Sequence, residues 1–272
     1  MKRIVSADLF ALRKSKMIWL LPLGAILLGF LMPMMYYGIK VLFDYLGSID
    51  ELKDNPAMAS MIGMLGILDA RTVFLASLPL SQGFGLMMTA MIGFRAARPF
   101  GTGIYRNEVI ARIPRSSIYL SQSLICLLLS LIGAALYTLS AALTSRLTFG
   151  TLDLSGKEVL SISVLSFGIY LVYTAIPVFV AFLTRSVPLT LTVSILLPVL
   201  AQTAVSLISP AMISAPETLI NILSAFPAFQ GVFMAGASGS DTVLIIALAA
   251  DLVWAALLTV FGILRFNKTD VK

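Results

Sequence analysis

The spacing between charged residues constrains this chain more than any motif in it. Residues 17–39, between Lys16 and Lys40, are 23 positions without a charge, and residues 72–94, between Arg71 and Arg95, are again 23. Residues 116–145 give 30 more, 159–184 give 26 and 186–216 give 31. Residues 242–264 are 23 positions with a single charge, Asp251. A helix needs about 20 apolar residues to cross the hydrocarbon core of a bilayer. None of these runs alternates apolar and polar residues as the strands of a membrane barrel do. The pattern predicts an all-α membrane protein with six spans in a single transmembrane domain, 1–272. The spans fall at about 17–39, 72–94, 116–145, 159–184, 188–208 and 242–264. Composition agrees, because only 12% of the residues are charged, against roughly 25% in a soluble domain.

Charge bias orients the spans. With both termini in the cytoplasm, fourteen of the 19 basic residues fall on the inner side and nine of the 13 acidic residues on the outer side. Residues 218–240 are also uncharged, but they hold Asn221, Pro227, Gln230, Gly231, Gly236 and Gly239. Such a segment makes a poor lipid-facing helix and is expected to be a re-entrant or interfacial external hairpin packed on protein. A seventh span there would put the basic C-terminal tail outside.

Several chemistries are excluded by residue type. The chain has no histidine, which removes a Ser–His triad, a His-ligated metal and a histidine proton relay. Its one cysteine, Cys126, lies in an apolar run and is read as a small buried residue, so neither an internal disulfide nor a thiolate metal cluster is expected. An intramembrane aspartyl protease needs two membrane aspartates, and the spans hold one. The nearest approach to a phosphate loop, GTLDLSGKE at 150–158, has five residues between its glycines where four are needed. Glu158 also stands where a Ser or Thr should hold magnesium. The chain is therefore expected to be no enzyme, with no cofactor and no metal of its own. The net charge of +6 flanks the apolar runs, which points to a bilayer and not to nucleic acid.

Residues 95–122 are the most informative. Pro99, Gly101 and Gly103 break the chain after the second span, and residues 104–112 can form about two helical turns before Pro114. A short helix pinned between two spans suits docking on a cytoplasmic partner. It equally suits a basic connector that meets anionic lipid headgroups.

GIYRN (103–107), IARIPRSSIYLSQ (110–122) and DLFALRKSKMIWLLPL (8–23) resemble the permeases of type-2 ATP-binding-cassette exporters. The six-span plan extends the resemblance over the whole chain. Two positions depart from the family pattern: Arg98–Pro99–Phe100 replaces an acidic residue before the glycine, and Gln122 replaces a lysine. The resemblance implies a coupling helix seated on a separate ATPase subunit. Ile104 and Tyr105 would be its apolar anchors and Arg106, Asn107, Glu108 and Arg112 its polar contacts. It further implies a second permease half, identical or a sibling, with ATP and magnesium held by the ATPase. The cargo would be apolar or amphiphilic, as in members that export antimicrobial peptides, lantibiotics or drugs. The location would be the cell membrane, the cytoplasmic membrane of a prokaryote.

Asp251 stands about nine residues into the last span. An aspartate at a helix centre costs about 2.5–3.5 kcal/mol on insertion scales, so it must face the bundle. It is either a polar anchor, with Gln82, Gln202, Tyr137 or Tyr173 as partner, or part of the transport pathway. In the latter role it would serve a substrate, or proton coupling in a secondary transporter.

Overall fold

A computed structural model describes residues 6, 9–10, 12–15, 17–48, 68–78, 84–212, 216–236 and 241–268. Its helices in chain order are α1 (Met17–Gly47), α2 (Ala70–Ser77), α3 (Phe84–Gly101), α4 (Ile104–Ile110) and α5 (Arg115–Phe149). They continue with α6 (Gly156–Thr184), α7 (Val187–Met212), α8 (Glu217–Ser224), α9 (Pro227–Gly236) and α10 (Asp241–Lys268). No strand occurs among the described residues. Five helices, α1, α5, α6, α7 and α10, are long and apolar enough to cross a membrane. The chain is an all-α protein of the multi-pass membrane kind.

The outer helices are apolar on the side that faces away from the bundle. Leu20 and Leu27 of α1 and Leu200 and Leu207 of α7 all lie exposed. In water such faces would aggregate; in a bilayer they meet lipid tails. The centre is α6, which packs against α3, α5, α7, α9 and α10. It buries Leu165, Ile169, Tyr173, Val178 and Phe182.

Small residues set the closest approaches. A Cβ on Gly29 of α1 would collide with the carbonyl of Tyr137 on α5. The two backbones are close enough there for Ser140 Oγ to donate to the Ile26 carbonyl at 2.8 Å. Van der Waals contact between such small-residue surfaces drives helix association where lipid removes the hydrophobic term.

The second predicted span differs from expectation. One helix over 72–94 is replaced by α2 and α3, with residues 79–83 outside the described set. Helix α2 starts on Asp69, whose carboxylate accepts from Thr72 N at 2.7 Å. Hydrogen bonding by Thr72 holds that carboxyl below its usual value. Leu78 closes the helix, its N–H donating to the Leu75 carbonyl at 3.3 Å in a tightened last turn. Helix α3 continues past Arg95 and Arg98 to Gly101. Charges mark where the apolar slab ends, but they do not stop helical hydrogen bonding.

The pair α2–α3 covers the same height as α6. At one end the Arg71 guanidinium, from the first turn of α2, pairs with Glu158, which also closes a capping box with Ser155 at the start of α6. At the other end the ring of Phe100 on α3 lies 5.2 Å from that of Phe182 on α6. Glu158 to Phe182 is about 36 Å along a helix, more than the roughly 30 Å hydrocarbon core.

Candidate functional site

Two sites gather the residues singled out by sequence. The first is α4 and its socket. Gly103 enters the helix with φ +72, a left-handed conformation that costs glycine nothing. At its end Ile113 N donates to the Glu108 carbonyl at 3.1 Å and Arg112 takes φ +61, which turns the chain into Pro114 and α5.

Tyr105 fixes the helix to the bundle. It is 3% exposed, its hydroxyl donates to the Ala96 carbonyl at 3.3 Å, and its ring meets Phe100 at 4.7 Å and Phe182 at 5.2 Å. Phe266 lies 4.9 Å from Phe182, and Tyr119 lies 4.7 Å from it. Rings from α3, α4, α5, α6 and α10 therefore share one cluster. Beside it, the Arg115 guanidinium donates to the carbonyls of Phe266 and Asn267 at 3.3 and 2.9 Å. The start of α5 thus satisfies carbonyls at the end of α10.

This placement corrects one expectation. Tyr105, expected as an apolar anchor for a partner, faces its own bundle. Ile104, Arg106, Asn107 and Arg112 are exposed, and Glu108 is half-buried. The most exposed apolar side chain of α4 is Ile110, at 69%, which sequence reading had not singled out. Seven residues are too few for apolar periodicity to phase a helix, so the inward face was not legible.

The second site surrounds Asp251. Helices α8 and α9 are about 12 and 15 Å long, too short to cross a bilayer, and form a hairpin in the segment expected to be re-entrant. Residues 237–240 of that segment lie outside the described set. The hairpin packs on α2, α6, α7 and α10.

Gln230 of α9 and Asp251 of α10 are both fully buried. Gln230 Nε2 donates to Asp251 Oδ1 at 3.0 Å and to the Ser224 carbonyl at 3.0 Å. Trp254 Nε1, one turn along α10, donates to the Ala225 carbonyl at 3.2 Å. Both contacts hold the bend between α8 and α9 against α10. Asp251 Oδ2 faces Gly168 of α6 and, like Gln230 Oε1, has no hydrogen-bond partner among the described residues.

Among the described residues the partner of Asp251 is thus Gln230, and not Gln202, Tyr137 or Tyr173. Tyr137 is committed to the carbonyl of Ser77, no hydrogen bond joins Gln202 or Tyr173 to Asp251 among the described residues, and Gln82 lies outside that set. Gln230 was visible only as one of several polar residues in an uncharged segment. Cys126 is fully buried and accepts from Gln122 Nε2 at 3.6 Å. Among the described residues no cluster of His, Cys, Asp or Glu can hold a metal ion.

No family model matches the chain, and no curated protein matches it.

Proposed function

We propose that this chain is the permease subunit of an ATP-driven exporter of the ATP-binding-cassette type. Its six crossings comprise the five long helices and the α2–α3 pair, with both termini in the cytoplasm of a prokaryotic cell. A separate ATPase subunit binds ATP and magnesium, and a second permease half, identical or a sibling, completes the pathway. The cargo is apolar or amphiphilic, because Asp251 is the one charge within the predicted spans.

The observation that carries this reading is the seating of α4. The helix shows Ile104, Arg106, Asn107 and Ile110 on its outside, while Tyr105 ties it to α3, α6 and α10 at once. A push on the outer face is transmitted to three membrane helices through packed rings, which resist compression. That is the mechanical requirement for ATPase closure to tilt the spans and open the pathway outward.

The test is purification from native cells in mild detergent, with and without Arg106→Glu and Ile110→Asp. Co-purification of an ATPase with wild type, and its loss from either variant, supports the proposal. A chain that purifies without any ATPase and transports without ATP overturns it.

A second reading rests on Asp251, a fully buried carboxylate with one oxygen lacking a partner among the described residues. In a proton-coupled secondary transporter this group would take up and release the coupled proton. Transport that follows the proton gradient and stops with Asp251→Asn would favour it.

A further inference from the structure

An apolar groove of about 250 Å³ opens on the lipid-facing side between α5, α6 and α10. Leu120, Leu124 and Leu127 of α5 form one wall, and Ala175 of α6 and Ala255 of α10 leave its floor open. Two of its three hydroxyls are turned into the protein: Ser123 Oγ donates to the Tyr119 carbonyl at 2.9 Å, and Thr174 Oγ1 donates to Ser130 Oγ at 2.7 Å. With Thr259 of α10 as the remaining polar side chain in its lining, the groove presents mainly hydrocarbon and methyl surface.

Its depth and the charge beyond it define an occupant. Leu120 and Leu127 stand about 8 and 18 Å along α5 from Arg115, which brackets the roughly 15 Å of one leaflet's hydrocarbon. Beyond Leu120 on α5 and Thr259 on α10, where the two helices run on past the groove, the Arg115 guanidinium bridges α5 to the end of α10, whose last turn also carries Arg265 and Lys268. An acyl chain in the groove puts its phosphate beside this positive charge. We infer that the groove binds one acyl chain of an anionic glycerophospholipid from the leaflet on the basic side, with its headgroup held at Arg115. The site uses none of the residues assigned above to ATPase contact and stands whichever transport reading holds.

The full chain in nanodiscs of equal phosphatidylglycerol and phosphatidylcholine, released for native mass spectrometry, tests this. Wild type is expected to retain one phosphatidylglycerol per chain, with about fivefold preference over phosphatidylcholine, the effect expected of one basic residue at a headgroup. Leu124→Trp should fill the groove and lose the bound lipid. Leu124 is 39% exposed, so the larger ring is accommodated without disturbing the core. Arg115→Gln should erase the headgroup preference, and Arg115→Lys should keep it. Retention of no lipid by wild type overturns the proposal. So does equal retention of both lipids by wild type, or undiminished phosphatidylglycerol on the Leu124→Trp variant.

Discussion

Gly168 on α6 and Asp251 on α10 are packed so closely that a methyl group added to the glycine would overlap Asp251 Oδ2. The carboxylate is held between this backbone and Gln230. Gly168→Ala is expected to destabilise the chain by about 1–3 kcal/mol, the usual cost of overpacking. Asp251→Ala should remove most of that penalty in the double variant. Thermal unfolding of all four forms in one detergent measures the coupling, and simple additivity would sink this account.

Gln230→Leu removes the donor that the hairpin gives Asp251. Hydrogen bonds between membrane helices average about 0.6 kcal/mol and reach about 1.7 kcal/mol. The upper figure is expected here, because the variant strands a buried acceptor. Maleimide labelling of Ser224→Cys, buried in the native chain, should accelerate in the Gln230→Leu background. Unchanged labelling would mean that the Gln230–Asp251 bond does not hold the hairpin in place.

Tyr105 and Ile110 separate scaffold from surface. Tyr105→Ala should lower stability by about 3 kcal/mol, as aromatic truncations in cores do. Ile110→Asp, at a 69% exposed position, should leave unfolding unchanged while weakening any cytoplasmic partner. The two effects are read by thermal unfolding and by co-purification, and a reversed pattern would place the docking surface elsewhere.

Arg71 and Glu158 tie the start of α2 to the start of α6. Arg71→Ala and Glu158→Ala should be non-additive in thermal unfolding, with the small favourable coupling usual for an exposed ion pair, and full additivity would mean that the pair contributes nothing. Membrane-impermeant maleimide on whole cells should reach Lys157→Cys and miss Arg106→Cys. Labelling of both from outside would contradict six crossings with cytoplasmic termini.

The sequence by itself determined that this chain lies in a membrane as helices. Uncharged runs of 23 residues and more can satisfy their backbone polar groups in lipid only that way. It also marked the place of α4 from Gly103 and Pro114, though Pro99 and Gly101, expected to break the chain, lie inside α3, and it marked the odd character of 218–240 from its prolines and glycines. These are local properties, governed by backbone preference and solvent. The break between α2 and α3 was half legible, since Pro79 stood in the run while the run itself stayed apolar.

Tertiary structure decided which way each side chain of α4 points and what meets Asp251. Tyr105 faces inward because Phe100, Phe182 and Phe266, far apart in sequence, meet at one end of the bundle. Gln230 reaches Asp251 because the α8–α9 hairpin folds back onto α10, 21 residues away in sequence. Hydropathy fixes how deep a residue lies along the membrane normal, whereas its neighbours around the helix axis depend on how the helices pack.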